Sequence, residues 1–255
     1  MVAIPAGRLV MGLTDVEADA LARELVAMEV TLLGERQHLR EPVIDVEART
    51  HERREALSVS MPAHEVEVAA FAIDRYPVTV DDYARYITQT GAPAPASWAR
   101  GRPPKNTFVT GVSWREANAY ATHHGLALPT EIEWERASRR DRRPFTWGAE
   151  YFPAGRIAFP SGSSTTAWEV GSRPQLASAD GVHDLLGEFG EYALDLLAPY
   201  PGADEAAFTR QLPRWRGQRA VRGGYDVDRD STCVYRNGID ETERATDIKF
   251  RCVRR

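Results

Sequence analysis

Cysteine is scarce: the 255 residues hold two, Cys233 and Cys252. Two thiols cannot build a disulfide framework, so a reduced pair in a cytoplasmic protein is expected. No apolar run approaches the roughly 20 residues of a membrane span. The opening MVAIPAGRLVMG lacks a basic stretch followed by a sustained apolar core, so no secretory signal is read. An excess of one charge is also missing. The net charge of −5 leaves no footprint for nucleic acid or an acidic membrane surface. What remains is the composition of a soluble globular protein, at a length that fits one large domain better than two.

The most informative stretch is Gly111 to Arg139, GVSWREANAYATHHGLALPTEIEWERASR. Ser113 is followed three residues later by Glu116, and Thr130 by Glu133. Both pairs read as capping boxes, in which the hydroxyl takes a free helix N–H and the carboxylate reaches back to the cap residue. The first helix is expected to run to about His124, with Gly125 as its left-handed stop. Ala117, Tyr120, Ala121 and His124 share its buried face. Leu126 to Leu128 is an extended link, and Ile132, Trp134 and Ala137 seat the second helix.

Before this bracket, Ile4 to Met11 reads as a strand. Thr14 and Glu17 form another capping box, and Leu21, Leu25, Met28 and Leu32 make a narrow apolar stripe ending near Gly34. A charged segment with His38, Glu41, His51 and Glu52 follows, with a second helix from about Asp45 to Leu57. This pair is expected to lie on the domain surface or to serve as a partner-binding arm. Ligation of iron by His38, His51 and a carboxylate has no support from helical spacing. His64 to Ala70 alternates as a strand that Phe71 to Asp74 extends. Thr79 and Asp82 cap a helix closed by Gly91. Ala92 to Pro104 is an irregular loop, and the basic run Arg139 to Arg143 reads as a solvated face. Beyond it come strands at Arg219 to Gly224, Thr232 to Arg236 and Ile248 to Val253, with Pro199 to Gly217 a loop anchored by Trp215.

IPAGRLVMG, HEVEVAAFAIDRYPVTVDDYARY, the bracket itself, FTWG at Phe145 to Gly148, GVHDLLGEFGEY, AVRGGYD and FRCVR follow one another in an order that resembles the formylglycine-generating enzyme (sulfatase-modifying factor) family. The resemblance covers nearly the whole chain except about residues 13–60. It implies an α+β, C-type-lectin-like fold with much irregular structure, as one domain over 1–255 carrying a helical insertion at about 13–60. Members often hold calcium near the element matched by Gly181 to Asp195. Glu188 stands there in place of the usual Asn, Gly190 and Tyr192 in place of Trp, and the usual upstream Asn looks replaced within Arg156 to Phe159. Asp184, Glu188 and Glu191 remain as candidate calcium ligands, with a buried hydrogen-bonding role for Glu191 as the alternative.

The resemblance also implies a pair of cysteines, five positions apart, that binds Cu(I) and uses oxygen to turn a substrate cysteine into an aldehyde. Cys233 falls where the second of them belongs. Asp228 stands where the first belongs, and a carboxylate is a poor ligand for cuprous ion; Cys252 belongs to the closing FRC element. Copper is therefore not expected. Another branch makes sulfoxides in ergothioneine and ovothiol biosynthesis, with iron on a separate three-histidine helical domain. No such domain is read in this sequence, so non-haem iron is not expected either.

Two function classes stay open. The first is a protein- or ligand-binding module that uses the C-terminal surface, Asp226, Asp228, Tyr235, Arg236 and Asn237, together with the helical insertion, with another protein as the expected partner. The second is an oxygen-dependent oxidative enzyme acting on a thiol or peptidyl substrate, with Cys233 as its catalytic thiolate. A lone strand cysteine is otherwise a small core residue.

Overall fold

The computed structural model describes residues 1–35, 45–148, 167–187, 189–224 and 231–255. The chain opens with two short strands, β1 (Val2–Ile4) and β2 (Gly7–Met11). The single strand expected at Ile4 to Met11 is thus broken at Pro5, a residue with no N–H to give to a ladder. β2 pairs antiparallel with β3 (His64–Val68), and β1 with β4 (Phe71–Ile73). β3 and β4 therefore belong to different sheets and do not form one extended strand. Gly12 follows at φ 80°, where a Cβ would lie 2.8 Å from the Ser60 carbonyl oxygen. Only glycine fits that crossing.

Helix α1 (Asp15–Glu35) begins at the predicted Thr14/Glu17 capping box, with the Thr14 N–H donating to Glu17 at 2.9 Å. Helix α2 (Val46–Ala56) starts at Asp45, whose carboxylate accepts from the N–H groups of Glu47 and Ala48. Helix α1 is not laid loosely on the surface. Ala18, Leu21, Ala22, Leu25 and Met28 are buried in the same core cluster as Ile4, Phe71, Trp134 and Val253. Each large apolar side chain among them stabilises by roughly 1.5–3 kcal/mol on burial. The expected surface hairpin thus holds for α2, in which Arg53 alone is buried, while α1 is part of the main core.

Helix α3 (Val80–Thr90) has its Thr79/Asp82 capping box and stops at Gly91 in the left-handed region, φ 72°. The central bracket forms as expected. Helix α4 (Trp114–His123) starts at Ser113 and α5 (Glu131–Ser138) at Thr130, each with both hydrogen bonds of a capping box. Between them Ala127 bridges Val253. Unlike α4, α5 is buried on nearly every side: Glu131, Glu133, Trp134, Glu135, Ala137 and Ser138 all lie inside.

β5 (Gly190–Leu196) lies at the centre of a four-stranded sheet. It pairs antiparallel with β6 (Arg219–Arg222) and parallel with β8 (Ile248–Lys249), and β6 pairs antiparallel with β7 (Arg236–Ile239). The loop before β6 contains an unexpected helix, α6 (Glu205–Gln211), capped by Asp204, with Phe208 packed on Trp215. Two expectations move here. The strand read at Thr232 to Arg236 begins only at Arg236, because Tyr235 closes a turn onto the Thr232 carbonyl at 3.2 Å. The strand read at Ile248 to Val253 is divided between β8 and β9 (Val253–Arg254), and β9 crosses to pair with β4.

Candidate functional site

Glu131, Glu135 and Arg139 are spaced by four, so α5 and its C-cap set them one above another. All three point inward. Glu131 accepts from Arg236 through Nε at 2.7 Å and Nη2 at 2.8 Å, and from Arg222 at 3.0 Å. Arg222 reaches on to Glu135 at 2.6 Å, and Glu135 takes the Arg139 guanidinium at 3.3 Å and the Gly12 N–H at 2.9 Å. The result is a buried chain of three guanidiniums and two carboxylates. Burial works to raise the pKa of Glu131, but the charges of Arg236 and Arg222 outweigh it and hold the carboxyl below its ordinary range. Arg139, read as part of a solvated basic run, is completely buried; Arg142 of the same run binds Glu17.

Cys233 sits against this chain. Its carbonyl accepts from Arg222 at 2.9 Å, and its thiol faces the Ser138 carbonyl oxygen at 3.6 Å. The residue is fully buried among core side chains. Burial pushes the thiol pKa up to about 12, against the pull of Arg139 and the Ser138 contact. A thiol held protonated is neither a nucleophile nor a good metal ligand. Burial raises the Cys252 thiol too. Two buried thiols whose pKa values are raised do not fit cuprous ion. The Asp228 position lies outside the described residues, as do Asp226, Glu188, Arg156 to Phe159, His38 and Glu41.

The calcium candidates are placed separately. Glu191 is fully buried and accepts from Arg251 at 2.7 and 2.8 Å and from Trp134 Nε1 at 2.8 Å, with Lys249 at 3.5 Å. Burial would raise its pKa; Arg251 and Lys249 prevail and lower it. With two cations and an indole already on it, Glu191 takes the buried hydrogen-bonding role named above as the alternative. Asp184, at φ 55°, accepts from the Gly171 N–H at 2.7 Å and from Trp168 Nε1 at 3.2 Å. Among the described residues no group of three or more His, Cys, Asp or Glu side chains could hold a metal ion. His51 lies exposed on α2 beside Glu55.

Tyr235, Arg236 and Asn237 do come together. They line one wall of a cavity of about 160 Å³ whose opposite wall is Leu25, Arg53 and Leu57 of the helical insertion, with Gln211 and Leu212 at the end of α6. Asn237 donates to the Tyr235 hydroxyl at 3.1 Å. Arg236 reaches this wall from the ion chain, with further donation to the Val59 and Ala198 carbonyls, both at 2.8 Å. So the C-terminal surface and the insertion meet at one site. The sequence did not point to Glu131, Glu135, Arg139 and Arg222, nor to Arg53, Gln211 and Thr232. Neither group carried a local signal: Glu131, Glu135 and Arg139 read as an ordinary solvent-facing helix row, and their partners lie far along the chain.

The full length, residues 1–255, matches the family described as the sulfatase-modifying factor enzyme 1-like domain. The hercynine oxygenase of Mycobacterium tuberculosis is 33% identical over 206 residues, covering 66% of this chain and 48% of that protein. The formylglycine-generating enzyme of Streptomyces coelicolor is 28% identical, covering 75% of this chain and 80% of that one. The chain thus spans about half the length of the hercynine oxygenases it matches. Among solved structures, PvdO from Pseudomonas aeruginosa superimposes with a TM-score of 0.63 at 22% identity, over 99% of this chain and 92% of that one. No helix among the described residues is long and apolar enough to cross a membrane. On this evidence the chain belongs to the sulfatase-modifying factor family, the family of the formylglycine-generating enzymes, and has their fold.

Proposed function

We propose that this chain takes part in an oxygen-dependent oxidation of a thiol-containing reaction mixture, as the substrate-holding part of an oxidative enzyme. The observation that carries this reading is the relatedness to hercynine oxygenases, at one third identity over 206 residues. The described residues supply no donor set for copper or iron, so the role assigned to them is binding and orientation. The cavity between the insertion and the C-terminal strands suits that role: it is concave and lined by both apolar and polar side chains.

The test is a calorimetric titration of the purified protein with hercynine and, separately, with a cysteine-containing sulfatase peptide. Saturable binding of hercynine supports the reading. Binding of the peptide alone redirects it to the formylglycine reaction. Binding of neither sinks it.

In that last case a second reading takes over, a binding module without chemistry of its own. It is favoured by one specific observation, the sealed and protonated Cys233. Its expected partner is another protein, held through the C-terminal surface.

A further inference from the structure

Calcium, which the family resemblance implies for the element Gly181 to Asp195, meets carboxylates there that are already engaged. A carboxylate offers about four lone-pair sites. On Glu191, Oε1 takes Arg251 Nη2 at 2.7 Å and lies 3.5 Å from Lys249 Nζ. Oε2 takes Arg251 Nε and Trp134 Nε1, both at 2.8 Å. Asp184 accepts one N–H on each oxygen, from Trp168 and from Gly171. A calcium ion takes roughly six to eight oxygens at about 2.3–2.6 Å. Among the described residues no cluster of carboxylates provides them.

An amine stands at this point instead. Parallel pairing sets Lys249 of β8 beside Glu191 of β5, and paired residues present their side chains on the same face. Lys249 is completely buried. Its Nζ donates to the Phe189 carbonyl oxygen at 2.7 Å and faces Glu191. It also lies 5.6 Å from the centroid of the Phe108 ring, within reach of the ring's negative face. Phe108 is held in place by Phe189, with ring centroids 4.8 Å apart. Burial pulls the Lys249 pKa down, and the charges of Glu191 and Asp184 oppose that pull. The chain is written almost throughout in arginine and has one other lysine, Lys105. Here it uses the compact amine, a point donor that stands in for a metal ion better than a planar fork does. A divalent ion placed beside this amine and Arg251 would meet like charge in a low-dielectric interior.

We propose that the Lys249 amine occupies the cation position of this element, so that the chain holds its fold without calcium. An internal group does the work of a bound ion and cannot be removed by chelation. The inference does not rest on the oxidative reading.

The experiment compares urea midpoints of the full chain in EGTA and in millimolar calcium chloride, for wild type and for Lys249→Ala. Wild type should unfold at the same midpoint in both. Lys249→Ala, which uncovers the Phe189 carbonyl and one side of Glu191, should unfold at lower urea in EGTA. Calcium should then raise its midpoint saturably, as a ligand bound only by the folded state does. Magnesium should do so less, because it demands a tighter octahedral shell. A calcium-dependent rise in the wild-type midpoint would overturn the proposal, as would a folded Lys249→Ala protein with equal midpoints in EGTA and calcium. Should Lys249→Ala not fold, Lys249→Ser, which keeps a hydroxyl for the Phe189 carbonyl, takes its place with the same expected and overturning results.

Discussion

Two buried ion clusters stand on either side of Trp134, and they differ in how their cations share carboxylates. Around Glu191, Arg251 and Lys249 both depend on one carboxylate. Along α5, Arg222 is shared between Glu131 and Glu135, and Arg236 adds two backbone carbonyls to its hold on Glu131. The first cluster closes the lectin-like core, where Arg251 also donates to the Asp74 and His183 carbonyls. The second reaches the insertion through the Val59 carbonyl and also holds the carbonyls of Gly12 and Cys233. A hub with one anion fails all at once, whereas a chain with two can lose a link and keep part of its pairing. Loss of one partner in a buried pair is costly because the other charge stays behind in low dielectric.

The comparison is broken most directly by Glu191→Ala. It strands Arg251, Lys249 and the Trp134 N–H together, and a loss of about 3–5 kcal/mol is expected. A urea midpoint shift at unchanged slope would measure it. A loss under about 1 kcal/mol would show that Glu191 is no hub.

Glu131→Gln should cost less, about 2–3 kcal/mol, because Arg222 keeps Glu135 and Arg236 keeps its carbonyls. If this variant is less stable than Glu191→Ala in the same urea series, the distinction between hub and chain is wrong.

Acid sharpens the comparison further. The folded pKa values of Glu131, Glu191 and Glu17 are all lowered, that of Glu17 to about 2, where Arg142 and the Thr14 bonds overcome desolvation. A carboxyl lowered on folding contributes stability that is complete above its unfolded value. That contribution is lost as pH falls through the folded value. Urea midpoints should therefore hold steady down to the ordinary glutamate pKa of about 4.3 and decline below it. Glu131→Gln should decline less steeply than wild type; an identical slope would mean that Glu131 is not ionised in the folded protein.

The smallest effect is expected at Cys233. Cys233→Ala removes a sealed, uncharged sulfur beside the ion chain and should cost about 1 kcal/mol. In the native protein a thiol reagent should leave Cys233 unmodified until urea unfolds the chain. Fast labelling of Cys233 in the native state would reopen its candidacy as a reactive thiol.

How much of this was legible depended on the distance between partners. The boxes at Thr14, Thr79, Ser113 and Thr130 were readable because each is closed by a residue three positions away. The order of motifs was enough to mark the family. The α5 ion chain was not readable, because Glu131 and Arg139 are a helix face of the sort that usually meets water. Their partners, Arg222 and Arg236, arrive from strands about ninety and a hundred residues on. Lys249 and Arg251 fall in the stretch read only as a strand from Ile248 to Val253. They turned out buried, because Glu191 lies opposite them. Among the ligand-binding candidates, Tyr235, Arg236 and Asn237 proved to share a wall, but the facing wall belongs to an insertion that no local pattern connects to them.

The sequence by itself determined where the boxed helices start and which lineage the scaffold comes from. Those follow from near-neighbour hydrogen bonding and from motif order, both written along the chain. The tertiary structure alone decided that Cys233 is shut away, that α1 of the insertion joins the core, and that charged residues from three distant segments pair inside it. Whether a charged side chain faces water or a buried counter-ion depends on what the fold places across from it, and local sequence does not carry that.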